Sequence, residues 1–547
     1  MKIFNPTFQA VIILLIIFLA DPSLAQDNKL HLKPGISRTF YVSNTGNDTR
    51  SGLSENEAWR SLKKVSEFKF KPGDIIQFRG GDLFRGNLLF NNEEGTDSDP
   101  ILITSYGLGR AVLRADKGNC IAVLNKGGYI IENLEITGIF NPDKDYSKNF
   151  GKEYNGIAIF TYARKNSSGV TVRDCVIRNF KDNGITLGAD RNTIFGYSNI
   201  TAERNKIYDC GDIGIKLWGL KYQNILIKGN TIFNIKGIIP HDHGFSGNGI
   251  SISNTYNASV EYNLIFNNGK YAGRSGGGIV TGESRNIIVR YNEIYGITAR
   301  DVDGDAIDFD NGSDSCTAEY NYTHNNDGAG FLLSGESGNS GSDNNIIRFN
   351  ISKNDGLRNN HYAIKIYSIV GADNNQIYNN TIISIADRKN VSGCFEISGP
   401  TSNTYVRNNI FYTVNSAVFI NIDSSKQTNL VFNANSYFAA DQKFIVKWNK
   451  NLYNSFEEYI NKTGQEKLNG VVIGLNKNPM MKSPLIKKDT VNNPYRLDTL
   501  NSYKLLPGSP LINSGVKILN LFTEAEMDFY GNRLTPENPP DIGAFQN

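Results

Sequence analysis

The chain has 547 residues with 57 basic and 54 acidic side chains, a formal charge of +3 and a mean hydropathy of −0.36. That length allows one long domain or several compact ones, and the near balance of charge excludes a general nucleic-acid binder, which would carry a basic excess. Five cysteines (120, 175, 210, 316 and 394) are too few and too scattered for a disulfide framework; apolar settings such as "VRDCVIRNF" make them small buried residues.

In chain order, Lys2 precedes the apolar run "AVIILLIIFLA" at 10–20, followed by "DPSLAQ". Small residues at Ser23 and Ala25 fit a secretory signal cleaved near Ala25–Gln26, and the run is short for a bilayer span of about 20 residues. No Cys opens the mature chain, which argues against a lipid anchor. The expectation is a periplasmic or secreted monomer, free of the membrane once residues 1–25 are removed. Residues 26–115 read as an N-terminal cap and first coils, 116–440 as a repeat region, and 441–547 as closing coils.

The repeat region carries one short theme again and again: "NGIAIF", "NGITLG", "IGIKLWG", "NGISIS", "GGIVTG", "DAIDFD", "AGFLLSG", "YAIKIYS" and "GCFEIS". Its opening small residues run from Gly156 to Cys394 at intervals of 24 to 35 residues. A second theme follows each, as in "VTVRDCVIRNF", "ASVEYNLIFNN" and "IIVRYNEIYGI". Repeats of this length mean a solenoid, and alternating Ile, Val, Phe and Tyr broken by Asn and Gly is strand-and-turn chemistry. Three strands per coil, stacked at about 4.8 Å, bury the aliphatic positions in a continuous column. Asn in "YNN", "RYN" and "EYN" is expected to take the left-handed conformation at the bends and to stack in ladders. The expected fold is all-β: a right-handed parallel β-helix with an N-terminal cap.

These repeats resemble those of secreted right-handed β-helix proteins that degrade polysaccharides, the pectate-lyase-like superfamily. The opening "FYVSNTGNDTRSGLSENEAWRSLKKV…FKPGDIIQFRGGDLFRG" and the ending "LLPGSPLINSGV…DFYGNRLTPENPPDIGAFQ" are similar to theirs, so the likeness spans the mature chain. It implies an acidic polysaccharide or oligosaccharide as partner. Within the group the chain resembles enzymes that desaturate uronic acids, including dehydratases of ulvan oligosaccharides.

Strand alternation assigns faces. One outward column reads Ala158, Thr186, Lys216, Ser251, Val280, Asp308, Leu332, Lys365 and Glu396. A second passes through Phe160, Trp218, Ser253, Asp310, Ser334 and Tyr367. The loops entering these strands bring His241 and His243, Arg274, Asp301, Asp303 and Asp305, and His361. Stacked coils would gather them at one edge of a groove. Trp218 and Tyr367, with Asp308 and Glu283, are the candidates for holding substrate; His324 sits at a turn-like ladder position and reads as structural.

The stretch "DVDGDAIDFDNGSD" puts six carboxylates in fourteen residues, Asp301 to Asp314. It fails as an EF-hand, having Ala306 where that loop needs Gly and no Glu at its twelfth position. Carboxylates this close repel unless a cation, a shared proton or a basic neighbour intervenes, so Asp303, Asp305, Asp308 and Asp310 are a candidate Ca²⁺ set. Two chemistries compete for the groove. In β-elimination on a uronate, Arg274, Lys216 and Ca²⁺ neutralise the carboxylate, His243, His241 or Lys365 is the base, and His361 or Tyr367 the acid. The product marks a lyase or a dehydratase according to what leaves O4. Inverting glycoside hydrolysis, the alternative, needs two carboxylates about 6.5–9.5 Å apart, which Asp308 and Asp310, or either with Asp303, would supply; it leaves the basic and imidazole groups of the region unexplained, so elimination is the expected reaction. A non-catalytic carbohydrate-binding β-helix would lack such a cluster.

Overall fold

The computed structural model describes residues 37–91, 93–141, 143–144, 153–162, 167–189, 196–219, 221–238, 246–273, 276–300, 303–336, 341–358, 361–387, 392–423, 426–487, 489–518, 527–534 and 538–547. The export signal expected at residues 1–25 lies outside them. Among the described residues no helix is long and apolar enough to cross a membrane.

Period-two segments of β-branched residues, cut by Asn and Gly, become the strands of a parallel β-solenoid. A typical coil runs Tyr222–Lys228, Thr231–Phe233 and Asn248–Ser253 before the next begins at Thr255–Glu261. Like strands stack into three long sheets of 14, 13 and 14 strands among the described residues. Neighbours in these sheets pair in parallel, except for the terminal pair Val446–Trp448 and Asn451–Tyr453 in the third. Each inward position repeats on the next rung, as in Ile215, Ile250, Ile279 and Ile307, so one apolar column fills the interior.

The three corners differ, and that difference positions the site. The corner from third to first sheet in this coil is the single residue Asn254, at φ 52°. The corner from first to second sheet is two residues long and carries the Asn ladder. Asn205, Asn230, Asn263, Asn292, Asn321 and Asn350 are all buried, and the amide oxygen of each successor accepts both the backbone N–H and Nδ2 of the residue before it, at 2.9–3.1 Å. The ladder was expected, but its left-handed residue is corrected. In "YNN" it is Asn379, whereas in "EYN" and "RYN" it is the tyrosine before the Asn: Tyr262, Tyr291 and Tyr320 stand at φ 55–57°. Their rings then stack outside the corner, centroids 4.8 and 5.0 Å apart. A left-handed non-glycine residue costs on the order of 1 kcal/mol; the buried Asn hydrogen bonds and the ring stack offset it.

The third corner, from second to third sheet, holds the long, variable loops, including those that enter the strands at Ile279, Ile307 and Tyr362. Helix Leu62–Glu67 closes the first coils, with Ser61 Oγ accepting from Lys64 N–H and Leu62 and Val65 buried. Helix Phe456–Thr463 sets Phe456, Tyr459 and Ile460 against the far end. The last segment lays Leu497, Tyr503, Leu511 and Ile542 against Tyr322, Ile351 and Ile383 on the outside of the coils. All five cysteines are buried and free, as the sequence implies.

Candidate active site

The outward columns form as alternation predicts. Lys216 is in register with Ser251, Val280 and then Asp308, which continues to Leu332, Lys365 and Glu396. Asp303 and Asp305 come in from the third-corner loop and His361 from the loop two coils later, so six of the expected residues meet around one strand, Ile307–Asp310: Asp303, Asp305, Asp308, Asp310, His361 and Lys365.

Asp305 is 1% exposed; its Oδ1 accepts the Ala329 N–H at 2.5 Å and its Oδ2 has no partner. Gly328 makes this possible, since a Cβ there would lie 2.5 Å from Asp305 Oδ1 and 2.6 Å from the Asp303 carbonyl. Asp308 is 9% exposed and its Oδ1 is likewise unpartnered. Asp310 is more open, and accepts from the Asn311 N–H at 2.9 Å and from the Ser334 hydroxyl. Burial first, then mutual repulsion, drives these carboxyls upward: Asp303 to about 8 and Asp308 well above the carboxylate range. Burial takes Asp305 to about 7 against the pull of the Ala329 N–H and Lys365. Burial also raises Asp310, against its two hydrogen bonds.

His361 is 6% exposed, and burial, with Lys365 nearby, pulls its imidazole down to about 3. It is therefore neutral, and its Nδ1, 3.8 Å from Asp305 Oδ1, is a close contact and not an ion pair. Lys365 Nζ lies 3.2 Å from Glu396 Oε2, whose other oxygen accepts from Asn421 at 2.7 Å. The ammonium also lies 5.7 Å from the Tyr367 ring centroid.

Other expected members do not join this cluster. Lys216 pairs with Asp212 at 2.9 Å and lies three rungs, about 14 Å, from Asp308. Trp218 shares that distant strand; it is half-exposed, with its ring 5.1 Å from Phe160 and its Nε1 donating to Thr186 at 3.2 Å. With Phe160 it forms an aromatic patch on the outward column that continues to Asp310. Glu283 is an exposed left-handed turn residue. The carboxylate whose field does reach Asp303, Asp308 and Asp310 is Glu336, and the parallel of "SGES" with "TGES" was the signal for it. His324 is structural, its ring stacked between Tyr295 and Tyr322 at 4.7 and 4.4 Å. His241, His243, Arg274 and Asp301 lie outside the described residues.

For the Ca²⁺ set expected of Asp303, Asp305, Asp308 and Asp310, sensitivity of turnover to EDTA is the test. Among the described residues no three His, Cys, Asp or Glu side chains converge to hold a metal ion. Asp305 Oδ1 and Asp310 are already committed to protein donors.

The fold defines the class: residues 109–299 match the family described as right handed beta helix region, which gives the solenoid its hand. Among curated proteins the chain is similar to lacto-N-biosidase from Bifidobacterium longum subsp. longum, 24% identical over 93% of this chain and 36% of that protein. It thus spans about a third of that relative's length. Among solved structures it is similar to the GH136 lacto-N-biosidase of Eubacterium ramulus, with 17% identity, a TM-score of 0.51, and coverage of 72% of this chain and 68% of that one. XylC in complex with xylose overlaps 93% of this chain and 98% of its own at 10% identity and a TM-score of 0.48.

Proposed function

We propose that the protein is a carbohydrate-active enzyme that hydrolyses a glycosidic bond with inversion, Asp308 acting as general acid and Asp310 as general base. The observation that carries this reading is a pair of outward carboxylates on one strand whose surroundings divide the two roles. Asp308 is the deeper, with an unpartnered oxygen and a strongly raised pKa, so it keeps its proton for a leaving oxygen. Asp310 is more open, and its hydrogen bonds favour the anion that activates water. Two residues apart on a strand is about 6.6 Å, nearer the inverting separation than the roughly 5–5.5 Å of retaining pairs. Likeness to lacto-N-biosidases supports glycoside hydrolysis, and the Trp218–Phe160 platform suits a bound oligosaccharide.

A second reading, β-elimination on a uronate by a lyase or dehydratase, is favoured by one observation: an ammonium, Lys365, acts on the cluster. Its base is less well supplied. An imidazole held down to about 3, as in His361, takes a C5 proton poorly. Incubation with neutral and uronic-acid oligosaccharides separates the two readings. Hydrolysis gives a new reducing end of inverted anomeric form, whereas elimination gives the ultraviolet absorbance of a C4–C5 double bond. Asp308→Asn and Asp310→Asn should each lower kcat by roughly 10²–10⁴-fold; full turnover in either variant removes that residue from its role.

A further inference from the structure

The outside of the first sheet carries a column of charge. From Glu132 through Arg173, Glu203 and Lys228 to Arg348, acid and base alternate rung by rung. Each cation therefore has a carboxylate beside it: Arg290 meets Glu261 at 2.8 Å and Arg348 meets Glu319 at 2.8 Å. Then the alternation stops. The next cation, Arg407, has Tyr378 and Asn433 as its register neighbours, and no carboxylate among the described residues pairs with it. Its guanidinium lies 4.2 Å from the Tyr405 ring centroid, and burial lowers its pKa. A half-buried cation without a counter-ion is costly, and this one stands beside neighbours of its own kind that all have one.

Arg407 lines a groove of about 540 Å³ between these coils and the segment around Lys517. The amides of Asn344, Asn374 and Gln376 line it too. We propose that this groove binds a carboxylate-bearing saccharide, whose carboxylate takes the place of the acid the column omits. A guanidinium fork matches a carboxylate in two parallel hydrogen bonds. Asn374 Nδ2 already donates to Asn344 Oδ1 and Asn344 Nδ2 to Asp314, each at 2.8 Å, so it is the Gln376 amide that offers a donor and an acceptor to ring hydroxyls. The groove lies on a different sheet from Asp308 and Asp310, so it would retain an acidic chain away from the point of cleavage. Its existence does not depend on which reaction the other face performs.

Calorimetric titration of the full chain with glucuronate, acetate and glucose at constant ionic strength tests the site. Glucuronate should bind saturably, and acetate and glucose at least about ten-fold more weakly. Arg407→Met should remove glucuronate binding. Asn433→Asp, which gives Arg407 an internal carboxylate of nearly unchanged shape, should weaken it by about ten-fold or more and raise the Tm. Asp308→Asn should bind as the parent does. Undiminished binding by Arg407→Met overturns the site, equal binding of acetate and glucuronate overturns the saccharide, and loss of binding in Asp308→Asn moves the ligand to the other face.

Discussion

Asp305→Asn isolates what the buried acidic cluster costs the fold. Asp305 is raised by burial from 3.8 to about 7. Its folded pKa exceeds its unfolded one, so the folded chain holds the proton more tightly. Stability is then greatest below about pH 4, declines as pH rises toward 7, and levels off above it. A rise of about 3 units at 1.36 kcal/mol each sets a ceiling near 4 kcal/mol. The amide keeps its oxygen at the Oδ1 position for the Ala329 N–H and sets an uncharged NH₂ where the unpartnered Oδ2 now stands. The variant should therefore gain about 2–4 kcal/mol at pH 8 and less than about 0.5 kcal/mol at pH 4. Solenoids open in pieces, so the assay is native-state hydrogen exchange at Ala329 and the adjoining rungs. An equal gain at both pH values, or a loss at pH 8, would refute the charge-burial account.

Trp218→Ala removes a platform about 14 Å from the carboxylates. Stacking of this kind is worth about 0.5–1.5 kcal/mol, so KM for long oligosaccharides should rise roughly two- to ten-fold while kcat on short substrates is kept. EDTA should leave turnover unchanged, because Asp305 and Asp310 already serve protein donors. A loss restored by Ca²⁺ would reassign Asp303, Asp305, Asp308 and Asp310 as ligands.

The outward columns were legible because rung-to-rung register is rigid: once Ile307 points in, Asp308 and Asp310 must point out. Column membership is not proximity, however, and that is why Lys216 lies far from the cluster it was expected to serve. Alternation also ends where a strand ends, so it says nothing about Glu336, which lies just past Phe331–Gly335. The left-handed corner was misassigned because propensity favours Asn there. Tertiary context reverses the choice: the Asn amide is worth more inside, linking rungs, than at φ near +55°, and the tyrosine can accept the strained torsion while its ring stacks outside.

The ladder gives a rule for where it admits a carboxylate, and the rule can be broken on purpose. At the second-to-third corner, Asp355 receives Asn326 Nδ2 at 2.8 Å on Oδ1, while the hydroxyls of Thr323 and Ser352 donate to Oδ2 at 2.6 Å. At Asn321 the corresponding side is occupied by the Val289 carbonyl, 2.8 Å from Nδ2, and a carbonyl cannot donate. Asn321→Asp therefore sets oxygen against oxygen and buries a charge, costing on the order of 3–5 kcal/mol at pH 8. Protonation would give the new side chain one O–H, enough for the Val289 carbonyl or for Asn350 Oδ1 but not for both, so only part of that cost should vanish near pH 4. The reverse change, Asp355→Asn, should be tolerated at either pH, because hydroxyls rotate to accept what they formerly donated. Urea titrations of both variants at pH 4 and pH 8 decide it. If Asn321→Asp is as stable as the parent at pH 8, then carbonyl and hydroxyl surroundings do not govern which acids the ladder admits.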